Sequence, residues 1–257
     1  MAYRAPFDLR AYSSRLRQAP QPVCDIDTAE ARKLESASPQ ARTIRVQQFD
    51  VIVVGKGNAA LCAALAAKDR GASVAILEAA PEDESGGNSR FAGGVMRFAY
   101  DGVEDLMKIT DIPADEVKSV DWESNTQEEF YDDLYHVTSF RTDPELSEAL
   151  ITQSLDAMVW LRGQGARFSP NYRHQSAVVD GKRKFFGRMP LWAHGGGPGL
   201  VQSLTDTALK KGINIFYDTR AVALDYDGAQ VRGVKAQSSG KPLDFKARAV
   251  VLACGGF

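Results

Sequence analysis

The feature that most constrains the fold of this chain is a buried strand that runs directly into a glycine-rich turn. Phe49–Val54 is a short apolar run rich in β-branched residues, which is typical of a strand covered on both faces of a parallel sheet. The turn Gly55–Ala60 follows at once. The helix-forming run Ala59–Arg70 comes next, and a second strand-like run, Ser73–Leu77, ends at Glu78. Together these segments predict a βαβ unit of about 30 residues.

The turn has the spacing Gly55-x-Gly57-x-x-Ala60. The first glycine permits a sharp turn, the second lets the backbone approach a pyrophosphate, and a small third residue lets the helix pack closely on the strand. Glu78 lies 23 residues after Gly55, where its carboxylate can bind both hydroxyls of an adenosine ribose and would repel the 2′-phosphate of NADP. The pattern predicts a dinucleotide-binding turn; the alternative is a glycine-rich turn in an unrelated α/β protein.

A second glycine-rich segment, Gly86–Gly94, follows the predicted second strand and reads GGNSRFAGG. An NAD site does not require such a segment, whereas a flavin dinucleotide extends past the first turn and needs a backbone that can approach it closely. Asn88 and Ser89 can donate hydrogen bonds to phosphate, and Gly93 and Gly94 leave room beside a flavin ring. The alternative interpretation is a long surface loop.

The middle of the chain has a different character, with acidic and amphipathic stretches in place of short buried strands. One long helix is predicted there, in which Asp143 is the N-cap, Pro144 is the first residue and Gly163 marks the end. Its apolar residues at helical spacing are Leu146, Leu150, Leu155, Met158 and Leu161. We interpret this stretch as an inserted unit.

The nucleotide-fold pattern then returns with a predicted helix and the strand Ile213–Tyr217. Two strand-like runs are joined at Asp227-Gly228, which is a hairpin signal. A third strand contains Phe245, and a separate last strand begins at Ala249. The predicted organisation is an N-terminal extension (1–47), a nucleotide-binding domain in two parts (48–100 and 191–257), and a capping or substrate insert between them (101–190).

Five motifs in this order resemble the FAD-binding 2 family: Gly55–Ala60, Glu78, GGNSRFAGG, GGGPGLVQSL and VVLACGGF. This is the flavoprotein group of succinate dehydrogenase and fumarate reductase, with 3-ketosteroid dehydrogenases and tricarballylate dehydrogenase. The run Gly87–Tyr100 is most similar to the tricarballylate dehydrogenase branch. The resemblance implies an α/β fold: a Rossmann-like FAD-binding domain, with a parallel sheet and a β-hairpin or meander insert, plus part of an inserted α+β capping domain.

The resemblance also implies FAD as the cofactor. FAD would be held without a covalent bond, because Asn88 stands where succinate dehydrogenases have the histidine that carries the flavin. Lys56 replaces a small residue of the first turn. Its side chain could lie near the phosphates or point to water, and we expect it to point to water. The cofactor-binding residues implied are Gly55, Gly57, Asn58, Ala59, Ala60, Glu78, Ala79, Gly87, Asn88, Ser89, Gly93, Gly94, Ala221, Val222, Ala253, Gly255 and Gly256.

Two residues are candidates for substrate binding. His194 lies near the place of a substrate-facing histidine of the family, and its imidazole could hydrogen-bond a carboxylate. Arg188 takes that place when the glycines are aligned differently, and a guanidinium fork suits a carboxylate. A loop residue bonded to backbone is the alternative for each. The family's proton-donating arginine is expected beyond Phe257, so the chain resembles the N-terminal half of a member and we expect no turnover from it alone.

The activity implied by the resemblance is that of an FAD-dependent dehydrogenase or reductase. It would act on CH–CH bonds of a small carboxylate, such as a tricarballylate-, succinate- or fumarate-type substrate, with an electron-acceptor protein as a candidate partner. The alternative is a truncated FAD- or nucleotide-binding module without turnover. An NAD-dependent dehydrogenase is a third hypothesis, which leaves the second glycine segment unexplained.

Composition argues against other classes of function. The chain has 31 Lys+Arg and 33 Asp+Glu residues, a balance that disfavours nucleic acid as a partner. Its three cysteines (Cys24, Cys62 and Cys254) form no CxxC pair and its histidines form no i, i+4 pair, so we expect no metal site and interpret Cys62 and Cys254 as packing residues. No apolar run approaches about 18 residues and no signal-peptide pattern is present, which predicts a cytoplasmic protein without a transmembrane segment.

Overall fold

The structure, a computed structural model, describes residues 46–172 and 176–256; Cys24 and nearly all of the predicted N-terminal extension lie outside these ranges. In chain order the elements are β1 (Val46–Val54), α1 (Asn58–Asp69), β2 (Val74–Leu77), a 3-10 turn (Glu82–Glu84), α2 (Gly87–Phe91), α3 (Val103–Met107), α4 (Ala114–Ser119), β3 (Val120–Asp121), α5 (Gln127–Val137), α6 (Pro144–Thr152), α7 (Ser154–Gly163), β4 (Phe168–Pro170), β5 (Ser176–Val179), β6 (Lys182–Phe185), β7 (Leu191–Ala193), α8 (Gly196–Lys210), β8 (Asn214–Phe216), β9 (Thr219–Tyr226), β10 (Val231–Ser238) and β11 (Lys241–Leu252). The predicted βαβ unit is present as β1, α1 and β2.

A six-stranded sheet in the order β8-β2-β1-β11-β10-β9 forms the centre of the molecule. Strands β8, β2, β1 and β11 are parallel, and β10 runs antiparallel between β11 and β9. The turn between β9 and β10 contains Asp227 and Gly228, as the hairpin signal predicts. The α/β fold with a largely parallel sheet and a hairpin insert is therefore confirmed.

The last strand differs from the prediction of two separate strands. Residues Lys241–Leu252 form one continuous strand, β11, of 12 residues. Phe245 pairs with Val234 of β10 on one side and with Gln47 of β1 on the other. The stretch after Phe245 has no turn residue, so nothing interrupts the extended backbone, and the single strand connects the parallel part of the sheet to the hairpin.

The long helix predicted from Pro144 is also two helices, α6 and α7. The predicted N-cap is correct, since the Asp143 carboxylate accepts from the Leu146 nitrogen at 3.0 Å. The helix breaks at Gln153, which has φ −101° and ψ 0°. The Ser154 hydroxyl donates to the Ile151 oxygen at 2.8 Å, across the end of α6 and the start of α7.

This break changes which face of α6 is buried. Leu146 is 71 % exposed and Leu150 is 52 % exposed, whereas Ser147 and Ile151 of the same helix are buried. The sequence prediction extends one helical period through both α6 and α7, and it therefore places the two leucines on the apolar face. The period does not continue across the break, so that assignment was wrong for α6.

Helices of the predicted insert share a core with the nucleotide fold. Leu61 and Leu65 of α1 belong to the same buried cluster as Leu106 of α3, Met158 of α7 and Leu204 of α8. Burial of these side chains provides the main driving force that holds the helices on the sheet. The assignment of residues 101–190 to a capping unit stays a prediction.

Two small sheets complete the architecture, in the orders β3-β6-β5 and β4-β7. The Ala193 nitrogen of β7 donates to the Gly94 oxygen at 2.7 Å, which joins β7 to the second glycine segment. Within residues 46–172 and 176–256, no helix is long and apolar enough to cross a membrane.

Candidate functional site

The first glycine turn is shaped by the chain that follows β11. Gly55 has φ +100°, and a Cβ there would lie 2.5 Å from the Ala253 oxygen. The Ala253 nitrogen donates to the Val54 oxygen at 2.9 Å. Glycine is therefore required at position 55, and three predicted cofactor residues, Ala253, Gly255 and Gly256, lie on the segment that borders the turn.

The amino end of α1 presents free backbone N–H groups. Its N-cap is Gly57, which provides no side-chain hydrogen bond. The Asn58 nitrogen donates to Ser89 Oγ at 2.9 Å, and the N–H groups of Ala59 and Ala60 have no partner within the helix. These groups and the positive end of the helix dipole form a site that attracts phosphate.

The second glycine segment lies between this helix end and α8. A Cβ at Gly94 would lie 2.6 Å from the Cα of Gly196, and a Cβ at Gly197 would lie 2.1 Å from the Ser89 oxygen. The glycines at the start of α8 are therefore required for its close packing on this segment. Gly94 makes room for protein backbone, whereas Gly93 beside it faces open space.

The two predicted phosphate ligands at the start of α2, Asn88 and Ser89, differ in their exposure. Gly87 and Asn88 are exposed in its first turn, while Ser89 is half-buried against α1. The Ser89 hydroxyl oxygen accepts from Asn58, which leaves its own hydrogen free to donate. Both Asn88 and Ser89 can therefore donate to a ligand at the amino end of α1.

Glu78 ends β2 and is oriented by its neighbours. The side chain and backbone are only 9 % exposed. Its Oε1 accepts from the Ala80 nitrogen at 2.9 Å, and its backbone oxygen accepts from Thr219 at 2.8 Å. The carboxylate is thus fixed at the end of the parallel strands, next to the exposed Ala79.

The start of β9 borders the same loop. Thr219 bonds to Glu78, and the Asp218 nitrogen donates to the Ala80 oxygen at 3.1 Å. The predicted cofactor residues Ala221 and Val222 follow on this strand and are half-buried. In the sheet order β9 lies at the opposite edge from β8, and these two hydrogen bonds bring its first residue to the loop after Glu78.

Lys56 corrects the prediction that its side chain points to water. The residue is only 5 % exposed, and its Nζ donates to Ser85 Oγ at 3.1 Å. Nζ also lies 5.5 Å from the ring centroid of Tyr217. The long side chain fills the space beside the two flanking glycines and reaches a hydroxyl and an aromatic face there. Burial lowers the pKa of Lys56 below its ordinary value.

The two described cysteines differ in their surroundings. Cys62 lies half-buried in α1, where burial raises the pKa of its thiol to about 11, and its Sγ lies 3.6 Å from Asn58 Oδ1. It is a neutral packing residue, as predicted. Cys254 is exposed, so its interpretation as a buried packing residue was wrong. Its backbone follows the end of the sheet, where no later residue among those described covers it.

Arg188 belongs to a cluster of charges on α5. Its guanidinium lies 3.1 Å from Glu129 and 3.0 Å from Asp133, in a backbone conformation with φ +56°. Arg97 also bonds to Asp133 and lowers the pKa of that carboxyl. The Arg97 guanidinium further donates to Asn125 at 3.0 Å, and its buried Nε has no partner among the described residues.

His194 lies elsewhere. Its backbone nitrogen donates to the Arg167 oxygen at 2.8 Å and its side chain is exposed. It lines a groove of about 840 Å³ with Arg167, Asp206 and Lys210, among others, and Arg188 is not part of that lining. The structure therefore places the two candidate substrate residues in different surroundings.

The residues predicted to bind the cofactor lie closer together in the structure than the two residues predicted to bind the substrate. The first turn, the second glycine segment and Glu78 meet at the carboxyl ends of β1 and β2, the usual ligand position in an open α/β sheet. Sequence reasoning missed Arg97 and Asp133, and for Lys56 it preferred water over a position near the phosphates. For Arg97 a signal existed, since it lies three residues after Gly94.

These residues fit an adenine dinucleotide with a diphosphate. The free N–H groups of α1 and the Lys56 ammonium supply positive charge, the absence of a side chain at Gly57 opens the helix end, and Glu78 supplies an acceptor for ribose hydroxyls. The second glycine segment extends the site, so that the site suits a cofactor longer than the first turn alone can hold.

Comparisons with known proteins identify relatives of this chain. The fumarate reductase (cytochrome) of Shewanella frigidimarina is 32 % identical over 210 residues, which are 81 % of this chain and 33 % of that protein. The urocanate reductase of Eggerthella lenta is 30 % identical over 240 residues, 90 % of this chain and 35 % of that protein. The chain thus spans about a third of the length of these relatives.

Solved structures show the same fold. An open flavocytochrome c3 fumarate reductase superposes with a TM-score of 0.62 at 27 % identity, over 90 % of this chain and 36 % of that one. A 3-ketosteroid-Δ4-(5α)-dehydrogenase from Rhodococcus jostii RHA1 gives 0.63 at 25 % identity, over 86 % and 48 %. The profile of the FAD binding domain family, FAD_binding_2, matches residues 50–257. The chain therefore belongs to the FAD_binding_2 family, and FAD is its cofactor.

Proposed function

We propose that the protein is an FAD-dependent oxidoreductase that acts on a CH–CH bond, or its unsaturated counterpart, in a small carboxylate. The observation that carries this proposal is the junction of two glycine segments at the amino end of α1, made by the Asn58–Ser89 hydrogen bond beside Glu78. A second segment at this place suits a cofactor longer than the first turn can hold. Bound FAD supplies the two-electron chemistry.

The carboxylate substrate is supported by the relatives. Two of them are named for reduction of fumarate and of urocanate, which are both unsaturated carboxylates. A tricarballylate-, succinate- or fumarate-type substrate is the finer proposal. The same fold also carries steroid dehydrogenation in the Rhodococcus enzyme, so fold alone does not choose the substrate.

We further propose that Arg188 and Arg97 hold a substrate carboxylate. Both guanidiniums already bond one carboxylate, that of Asp133, so their positions suit two-point recognition of such a group. Arg97 lies three residues after the end of the second glycine segment, which connects the pair to the cofactor site. His194 is a second candidate, because its exposed imidazole lies in a groove with Arg167 and Lys210.

The cofactor is proposed to be non-covalent. Asn88 is exposed at the start of α2 and its amide cannot form the bond to flavin that a histidine forms. The amide can instead donate to phosphate. FAD retention would then depend entirely on the hydrogen bonds and charges of the two glycine segments and Glu78.

The second candidate function is an FAD-binding module without turnover. It requires only the junction of the two glycine segments and Glu78, all of which lie among the described residues. Partner recognition or cofactor storage would then replace catalysis. The two functions differ in one observable property, which is the ability of the bound flavin to exchange electrons with a carboxylate.

An anaerobic reoxidation experiment tests the proposed activity. The purified protein is loaded with FAD, reduced with a stoichiometric reductant, and mixed with fumarate, with an unsaturated tricarboxylate, or with a steroid enone. Return of the absorbance near about 450 nm with one of the carboxylates supports the oxidoreductase. A flavin that stays reduced with every carboxylate supports the binding module, and reoxidation by the steroid alone would contradict the substrate class.

A further inference from the structure

We propose that Lys56 is a cofactor-affinity residue, whose buried ammonium fastens the two glycine segments together and attracts the FAD diphosphate, so that FAD affinity depends on its charge. The inference rests on FAD as the cofactor and not on the identity of the substrate. It gives a function to the cation at position 56 of the first turn. The Gly-x-Gly spacing of the motif does not specify the residue type at this position.

The geometry places a charge inside the turn without a close counter-ion. Nζ has three N–H donors, and the described acceptor for them is Ser85 Oγ at 3.1 Å. The Tyr217 ring faces the ammonium at 5.5 Å. Among residues 46–172 and 176–256, no carboxylate oxygen lies within 4.0 Å of Nζ. A residue only 5 % exposed therefore carries a cation that is incompletely compensated by the protein.

Lys56 also determines the shape of the site through Ser85. The Ser85 hydroxyl accepts from Lys56 and donates to the Glu82 oxygen at 2.7 Å, which fixes the loop just before the second glycine segment. On the other side of Gly57, Asn58 bonds to Ser89. Two hydrogen bonds that flank Gly57 thus hold the segments together, and the diphosphate is expected to lie between them.

Electrostatics gives the cation a function. A buried ammonium without an ion pair is costly, because it has lost its hydration. A diphosphate at the amino end of α1 brings negative charge close to Lys56 and compensates it. Because binding and protonation are linked, the charged form of Lys56 binds FAD more tightly than the neutral form, and bound FAD in turn favours the charged form.

The direction of the pH dependence follows from the charges around Nζ. Burial lowers the pKa of Lys56, and a neighbouring arginine lowers it further, whereas three carboxylates raise it. FAD raises it again on binding. FAD affinity is therefore highest and constant below the pKa of the free protein, and it falls as the pH rises toward the pKa of the complex. The groups that face Lys56 are Glu78, Glu82, Arg90, Asp206 and Tyr217.

The test is the dissociation constant of FAD, measured by flavin fluorescence from about pH 6 to about pH 10, a range chosen to approach the ordinary lysine pKa. Lys56→Met removes the charge and keeps the length of the side chain. We expect it to weaken FAD binding about 10-fold or more near pH 7 and to flatten the pH dependence. Lys235→Met, on the exposed lysine of β10, is the matched control and leaves both unchanged.

A second variant separates charge from structure. Ser85→Ala keeps the ammonium but removes its acceptor, so we expect weaker FAD binding with the pH dependence retained. This comparison stays informative if Lys56→Met does not fold. An affinity of folded Lys56→Met within about twofold of the native value, or a Ser85→Ala variant identical to native, would overturn the inference. These FAD-binding measurements contain no substrate. A protein that binds FAD as expected here, but whose reduced flavin no carboxylate reoxidises, would therefore contradict only the proposed function.

Discussion

The hydroxyl of Ser89 lies 2.9 Å from the backbone nitrogen of Asn58 and accepts its hydrogen bond across 31 residues of sequence. This bond joins the second glycine segment to the first helix of the nucleotide fold. It satisfies one of the backbone donors that a helix start leaves without a partner. The proposed phosphate site therefore consists of two segments, and neither is complete without the other.

Replacing Ser89 by alanine should weaken FAD binding. The Asn58 nitrogen would lose its acceptor and the phosphate a hydroxyl donor, which corresponds to about 1 kcal/mol or roughly fivefold in affinity. Titration of FAD fluorescence measures the loss. Ser119→Ala is a suitable control, because the Ser119 hydroxyl bonds to Asp115 at the end of α4. Equal affinities of the two variants would contradict the role of Ser89.

Two glycines of the first turn should respond differently to substitution. Gly57 has φ −73°, which any residue adopts, so Gly57→Val should keep the fold and lose FAD by blocking the approach of phosphate. Gly55 has φ +100° and no room for a Cβ, so Gly55→Val should destabilise the fold by about 1–3 kcal/mol from backbone strain alone. Thermal unfolding and FAD retention separate the two effects. Unchanged retention in Gly57→Val would contradict the site.

The flavin should be released intact when the protein is denatured. The resemblance places Asn88 at the position of the covalent histidine of succinate dehydrogenases, and an amide forms no such bond. After acid or heat treatment, chromatography of the supernatant should recover unmodified FAD. Fluorescent flavin that remained on the denatured polypeptide would refute this prediction.

The arginine cluster should affect substrate and spare the cofactor. Arg188→Lys removes the fork that binds Glu129 and Asp133 but keeps the charge. We expect the dissociation constant of a carboxylate such as fumarate to rise about tenfold, as for loss of one charged hydrogen bond, with FAD affinity unchanged. Arg232→Lys, which alters the pair with Asp227 at the hairpin between β9 and β10, is the control. A dissociation constant equal to that of the control would exclude Arg188 from the substrate site.

The fold near the first turn follows from local sequence, because each segment strongly favours one type of secondary structure. A β-branched run, two glycines, an alanine-rich helix and a terminal glutamate all indicate the same unit, and the structure has it as β1, α1 and β2. The hairpin at Asp227-Gly228 could be predicted equally well, because an Asp-Gly pair between two strand-like runs strongly favours a hairpin turn.

Other features depend on distant contacts and could not be predicted from local patterns. Whether Lys56 is buried is decided by Ser85 and Tyr217, which are remote in sequence. The break at Gln153 is stabilised by Ser154, whose hydroxyl also accepts from the Ala99 nitrogen at 2.8 Å. The separation of Arg188 from His194 likewise depends on α5, which holds the arginine away from the groove.

We expect FAD to bind at the junction of the two glycine segments. The most direct test is the absorption spectrum of the protein after incubation with FAD and gel filtration, compared with Gly57→Val. We expect a band at about 450 nm that corresponds to about one FAD per native chain and is absent from the folded variant. A native protein without this band, or a variant that retains it in full, would contradict FAD binding at this junction.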